Sequence, residues 1–302
     1  MEIKTQFDVI IIGGSYAGLS AAMALGRSLR KVLVIDSNLP CNRQTPHSHN
    51  FLTQDGQTPS AITSKARKEL SAYTTVTMIS DKAVAGRNAG KGFTITTASN
   101  SEFRSKKLVF ATGIKDIMPE IPGFAECWGI SVVHCPYCHG YELREKPTAI
   151  MANGERAFHL ASLVNNLTKN LVVITSGKPE FTAEQLVKLK NHNIEIISSP
   201  VTEIEHVAGR MKRVIMATGR KIELLGMYAA PKFVQHSEIP ESLGCELNEN
   251  GYIKVDAFQK TSIPGVYACG DNSNMMRAVA NAVYSGNITG AMVNKELTDD
   301  AF

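Results

Sequence analysis

The chain has 302 residues, 43% apolar and 20% charged, with 32 basic against 28 acidic side chains. That length allows two domains with their own cores, and the net charge of +4 is spread too thinly for a nucleic-acid face or a polybasic membrane patch. Six cysteines are too sparse for a disulfide scaffold and suit a reducing, cytoplasmic setting; four of them, Cys41, Cys127, Cys245 and Cys269, stand alone and read as small buried hydrophobes.

The first apolar run, Phe7 to Ile12, is too short for a secretory core or a membrane span. Its continuous β-branched stretch Val9-Ile10-Ile11-Ile12 predicts a parallel strand buried on both faces. Gly13-Gly14-Ser15-Tyr16-Ala17-Gly18 follows as a turn, Ala21 to Leu25 as helix, and Val32 to Ile35 as a second strand closed by Asp36. This is a βαβ unit of the dinucleotide-binding type, with Ser15 in place of the middle glycine of G-x-G-x-x-G. Serine narrows the approach to a pyrophosphate, although its hydroxyl can itself bind phosphate at a helix N-terminus. Asp36, 18 residues beyond Gly18, stands where a ribose-binding carboxylate belongs.

Further along, Gly92 to Thr96 reads as a short strand, and Pro119, Pro122 and Gly123 mark a domain boundary. Thr148 to Met151, the turn Ala152-Asn153-Gly154, a helix over 155–167 and the strand Leu171 to Ile174 form a second, poorer βαβ unit. Arg213 to Met216 adds a strand, and Asn248 to Gly251 is a turn near a second boundary. The strand Gly265 to Ala268 leads into Gly270-Asp271, and a final helix is predicted from about Arg277 to Leu297.

Between the two units lies Cys135-Pro136-Tyr137-Cys138. Two cysteines at this spacing can close a small disulfide ring in which one thiol is acidified, so that exchange runs near neutral pH. The same spacing also serves as half of a zinc site, but no second C-x-x-C exists, and the adjacent His134 and His139 cannot easily converge on one metal. An inert pair is the remaining reading; no metal site is expected.

Thr261-Ser262-Ile263-Pro264-Gly265-Val266-Tyr267-Ala268-Cys269-Gly270-Asp271, with the glycine turn, Ala111-Thr112-Gly113 and the central cysteine pair, resembles the low-molecular-weight thioredoxin reductase family of FAD-dependent disulfide oxidoreductases over nearly the whole chain. The resemblance implies an α/β fold of two Rossmann-like three-layer ββα domains, the second inserted in the first. An FAD domain would span 1–115 and 248–302, and an NAD(P)H-type domain 116–247. FAD contacts would come from Gly13, Gly14, Ser15, Ala17, Gly18, Asp36, Ala111, Thr112, Gly113, Gly270 and Asp271. Cys138 would face the flavin and Cys135 engage the substrate sulfur of a thioredoxin-like protein or a small dithiol. A homodimer is implied, with neither nucleic acid nor membrane as partner.

Two departures from that pattern change the expectation. The second glycine turn reads Ala152-Asn153-Gly154-Glu155-Arg156-Ala157, and Thr175-Ser176-Gly177-Lys178-Pro179 follows the next strand with no His-Arg-Arg cluster. One lysine cannot supply bidentate recognition of a 2′-phosphate, and Glu155 opposes a pyrophosphate at the helix start, so NADPH is doubtful. After the second cysteine stands His139 rather than aspartate, which resembles the flavin dithiol oxidases that close disulfides of the gliotoxin and holomycin type; an imidazole suits deprotonation of an incoming thiol. His47 and His49 lie in the loop after Asp36, near expected flavin contacts. The expectation is therefore a thiol–disulfide flavoenzyme that does not depend on NADPH, its electrons coming from a substrate dithiol with oxygen as acceptor, or from a donor such as ferredoxin. An NADPH-dependent thioredoxin-disulfide reductase and a non-catalytic flavin redox sensor are the alternatives.

Overall fold

A computed structural model describes residues 5–302. The chain opens with β1 (Gln6–Ile12), α1 (Tyr16–Arg27), β2 (Val32–Asp36), α2 (Pro59–Leu70), β3 (Val76–Ser80), β4 (Ala83–Asn88), β5 (Phe93–Thr97), β6 (Glu102–Phe110) and β7 (Ile114–Asp116). Strands β3, β2, β1 and β6 lie side by side and parallel, and β5 and β4 continue the sheet antiparallel. Successive β1 residues feed opposite cores. Val9 and Ile11 pack with Ala21, Ala22 and Leu25 of α1, while Ile10 and Ile12 pack with Phe93, Ile95 and Phe103. A strand buried on both faces needs such a continuous apolar run.

The middle of the chain builds a second compact unit. It contains α3 (Phe124–Cys127), β8 (Val132–Val133), α4 (Pro136–His139), β9 (Thr148–Met151), α5 (Gly154–Val164), β10 (Leu171–Ile174), α6 (Ala183–Asn191), β11 (Glu195–Ile197), β12 (Val201–Val207), β13 (Arg210–Met216), β14 (Lys221–Glu223) and β15 (Gly226–Ala229). Its parallel sheet has the order β11-β10-β9-β15-β8, and β12-β13-β14 form a separate three-stranded sheet. Ile150, Val173 and Tyr228 face α5, whereas Ala149, Ile174 and Met227 pack with Ile204, Val214 and Met216 of the antiparallel layer. Helix α5 stops at Val164, short of the expected residue 167, because the Leu167 carbonyl turns to accept the Glu145 amide.

The chain then adds β16 (Phe233–Gln235), α7 (Ile239–Ser242), β17 (Val266–Ala268) and α8 (Val279–Asp299) to the first unit. β17 pairs with the last three residues of β6, and β7 pairs with β16. The first unit comprises the chain up to Arg43, Phe51–Lys115 and Phe233–Phe302; the second comprises Gln44–Asn50 and Asp116–Lys232. The return to the first unit thus falls at Phe233, ahead of the turn at residue 248, because Ile239 and Cys245 are buried against the Phe93 and Ile95 side of its sheet. Among the described residues no helix is long and apolar enough to cross a membrane.

Candidate functional site

The glycine turn of the first unit is a cradle that side chains would fill. Gly13 has φ +106°, and a Cβ there would collide with the Ala111 carbonyl. On Gly14 a Cβ would sit 2.8 Å from the Asp36 Cβ, and on Gly18 it would strike the Gly13 carbonyl. The turn therefore lies directly on the end of β6 and beside the carboxylate that closes β2. Ser15 caps α1 with its backbone only, and no acidic residue occupies the first turn, so the leading amides are open to an anion. Gly270 (φ +82°) packs its α-carbon against Ala17, where a Cβ would stand 3.0 Å from the Ala17 Cβ. The Ala111 amide bonds the Ile12 carbonyl, and Gly113 turns at φ +63°. Gly13, Gly14, Ser15, Ala17, Gly18, Asp36, Ala111, Thr112, Gly113 and Gly270 thus gather around one end of the parallel sheet. Asp271 follows there, with its Oδ2 3.9 Å from Arg277 Nε and from Cys41 Sγ.

Two residues of this cluster carry no sequence signature. Arg67 of α2 donates from Nη2 to Asp36 Oδ2 at 2.5 Å and to Asn38 Oδ1 at 3.1 Å. Its Nε is buried without a hydrogen-bond partner among the described residues. Asn272, fully buried, donates to the Phe110 carbonyl at 2.8 Å and to Thr112 Oγ1 at 3.2 Å, tying the Gly270-Asp271 turn to the end of β6. A basic residue about two turns into an unremarkable helix, or an asparagine after an aspartate, signals nothing until the chain folds.

The cysteine pair lies in the second unit. Cys135 and Cys138 form a disulfide, with Cα atoms 5.3 Å apart. Pro136 starts α4, Cys135 is its N-cap, and the Cys138 amide donates to Cys135 Sγ at 3.1 Å. On reduction that N–H favours a thiolate at Cys135. Gly140 caps the end of the helix, where a Cβ would collide with the Pro136 carbonyl and with Leu167. Both cysteines are partly exposed, flanked by the exposed rings of Tyr137 and Tyr141; the Arg144 guanidinium lies 3.9 Å over Tyr141. His139 is largely withdrawn from solvent, and burial pushes its imidazole below the ordinary histidine range, against the pull of Glu142 and with the help of His49. A neutral imidazole beside a disulfide can take a proton from an arriving thiol. His134 directly follows β8, and its ring stands 6.0 Å from that of Trp128. His47 and His49 both belong to this unit rather than to the one carrying the glycine cradle. The lone cysteines divide: Cys127, Cys245 and Cys269 are buried, but Cys41 is exposed, contrary to the expectation for it, because its loop runs over the surface of the first unit. No cluster of described residues is arranged to hold a metal ion.

The second glycine turn contrasts with the first. Asn153 caps α5 with its own side chain, accepting from the Gly154 amide at 2.9 Å and the Glu180 amide at 3.0 Å, and it donates to the Lys178 carbonyl at 2.9 Å. Glu155 stands in the first turn and accepts from Gln185 at 2.6 Å. A Cβ on Gly154 would lie 3.4 Å from the Glu180 carbonyl and 3.8 Å from its carboxylate. The α5 N-terminus is thus covered by Lys178–Glu180 and bracketed by two acids.

The chain from residue 7 to 286 matches the pyridine nucleotide-disulphide oxidoreductase family model. It is 32% identical to thioredoxin reductase aclD of Aspergillus oryzae over 97% of each chain. An oxidoreductase of Agrobacterium tumefaciens shares its fold with a TM-score of 0.91 and 35% identity, covering 97% of this chain and 99% of the other. The structure of HlmI superposes with a TM-score of 0.92 at 29% identity, over 100% of this chain and 95% of its own. These likenesses imply a flavin cofactor and an enzyme acting on disulfides, which removes the non-catalytic sensor. The chain belongs to the pyridine nucleotide-disulphide oxidoreductase family and is a disulfide oxidoreductase of the thioredoxin reductase type.

Proposed function

We propose that this flavoenzyme oxidises substrate dithiols through Cys135 and Cys138 without drawing on a pyridine nucleotide. The observation that carries the reading is the α5 N-terminus, where Asn153, Lys178–Glu180 and Glu155 take the place of an open phosphate site. In the first unit the residues present fit an FAD: a cradle without Cβ atoms, an α1 N-terminus free of side-chain cap or acid, and a buried Arg67 Nε beside Asp36. Gly13, Gly14, Ser15, Ala17 and Gly18 would hold its pyrophosphate and Asp36 its ribose. Ala111, Thr112, Gly113, Gly270 and Asp271 would hold the flavin half. Bound there, FAD supplies the two-electron store that returns the reduced cysteine pair to the disulfide.

The chain's own residues perform the thiol chemistry. A substrate thiol gives its proton to the His139 imidazole, and the thiolate attacks Cys135 Sγ. The Cys135–Cys138 bond breaks, and Cys138 leaves as a thiolate. The second substrate thiol then attacks the sulfur joined to Cys135, its proton passing to the departing Cys135. The substrate leaves as a disulfide and both electrons stay on the cysteine pair. The substrate is a small dithiol or a thioredoxin-like protein and the enzyme a homodimer, as the resemblance implies; its sparse cysteines suit the cytoplasm. The name of the Aspergillus oryzae relative favours a second reading, an NADPH-dependent thioredoxin-disulfide reductase.

Anaerobic mixing of the yellow holoenzyme with NADPH, NADH or dithiothreitol separates the two. The first reading expects bleaching by the dithiol alone, with colour and peroxide returning in air. Rapid bleaching by either nucleotide would overturn it. Cys138→Ser is expected to abolish bleaching by the dithiol while leaving the flavin bound.

A further inference from the structure

His139 does not stand alone beside the disulfide. Glu142 follows it by three residues on the same turn, where the Leu143 amide still bonds the His139 carbonyl at 3.3 Å. Glu142 Oε1 in turn lies 3.6 Å from His49 Nε2. His49 comes from far earlier in the chain. Its segment, Gln44–Asn50, leaves the first unit and packs into the second. Gln44 Nε2 bonds the Ala125 carbonyl at 3.4 Å there, and Thr45 fits against Gly129, where φ is +77° and a Cβ would stand 3.0 Å from the threonine hydroxyl. The segment therefore has its own docking contacts, and they deliver an imidazole to the carboxylate next to His139.

We propose that Glu142 and His49 are positioning residues that set the charge of His139 for proton transfer at the Cys135–Cys138 pair. This rests on the reading of His139 as the proton acceptor. The logic is electrostatic. A carboxylate beside His139 favours the imidazolium that forms when a thiol is deprotonated, and a second imidazole bound to that carboxylate opposes a second proton. Burial lowers the basicity of His139; Glu142 restores part of it, and His49 opposes that gain. Other titratable groups lie near the network. The Tyr228 hydroxyl, buried on β15, is pushed above the ordinary phenol range by burial and by Glu142, so it stays neutral. The His47 ring lies 6.4 Å from that of His49. The Cys138 sulfur, next to His139 in sequence, is tied up in the disulfide.

The two residues thus act in opposite directions, which a merely structural role would not produce. The test is a pH titration of the His139 resonance in holoenzyme labelled with 13C at histidine Cε1, assigned by its loss in His139→Asn. Glu142→Gln is expected to move the titration to lower pH and His49→Gln to higher pH, with Glu142→Asp restoring the wild-type direction in part. The low-pH limb of kcat for dithiothreitol oxidation should follow, while KM stays within about twofold. If either variant alone loses its fold, the other, together with Glu142→Asp, still reads the sign. Shifts in the same direction, or an unmoved titration in both variants, would overturn the proposal. If the resonances shift as expected but the dithiol fails to bleach the flavin, the network stands and the dithiol-oxidase reading falls. Bleaching by the dithiol with unmoved resonances means the reverse.

Discussion

Cys269 and Cys41 show how differently one residue type behaves within a single unit. Cys269 is wholly buried behind Gly270, and burial, only partly offset by a hydrogen bond from Thr289, pushes its thiol up to about 12. Burial likewise raises Cys127 and Cys245, whereas Cys41 lies on the surface. Since only thiolates alkylate, iodoacetamide at pH 8 under native, oxidising conditions is expected to label Cys41 and spare the other three, as peptide mass spectrometry would show. Arg67 offers a second test at this scale. Its guanidinium holds Asp36 and reaches the Gly14 carbonyl at 3.4 Å, so Arg67→Met should lower flavin content on purification, read as the ratio of flavin to protein absorbance. Retention of a full flavin complement would remove Arg67 from the site. At Gly13 the backbone leaves no choice: alanine would strain φ +106° and strike the Ala111 carbonyl. A loss of about 3 kcal/mol or more is expected in denaturant unfolding of Gly13→Ala.

Helix α8 is the element on which the first unit closes. Gly286 and Gly290 let it approach α1 so nearly that a Cβ on Gly286 would collide with the Ala17 carbonyl, and one on Gly290 would stand 2.7 Å from the Ala24 Cβ. At its other end Glu296 accepts from Lys107 of β6 at 2.6 Å, Lys260 at 2.8 Å and Tyr267 of β17 at 2.5 Å. Burial works against the Glu296 charge, but these three donors together hold its carboxyl at about 2. The folded form therefore binds the Glu296 proton less readily than the unfolded chain. The stabilisation is complete above the ordinary glutamate range and fades as pH falls from about 4.5 toward 2. Glu296→Gln should be less stable than wild type at pH 7, with the gap narrowing across that acid window in melting curves. Helix α5 is bound at its start instead. Asn153→Ala removes three hydrogen bonds at once and is expected to cost about 1–2 kcal/mol; NADPH should still not bleach the flavin, since Glu155 remains.

Across the whole molecule, chain order and spatial grouping part company twice. The first unit is built from three stretches of chain, and the second from two. A flavin held by the first unit contributes to that unit's stability alone; at a hundredfold excess over Kd the contribution is about 2.7 kcal/mol. Stripping the cofactor should therefore speed hydrogen exchange in peptides of α1, β6 and α8 and leave β9, β10 and α5 unchanged. Equal acceleration in both sets would argue against placing the cofactor in the first unit.

Much of this was legible in the residues alone. The β-branched run before Gly13, the glycines and Asp36 determine a βαβ unit, because strand burial and positive φ are short-range demands that any fold must meet. The spacing of Cys135 and Cys138 likewise confines the disulfide to one turn of chain. Only the tertiary structure decided the rest. It placed Arg67 on Asp36, returned the chain to the first unit at Phe233, laid Lys178–Glu180 over α5, and carried His49 out of the first unit to Glu142. Each is a contact between segments with no shared local pattern, and its energy arises only when folding brings them together. A histidine directly after the second cysteine could be read from the sequence; the His49 imidazole against Glu142 could not.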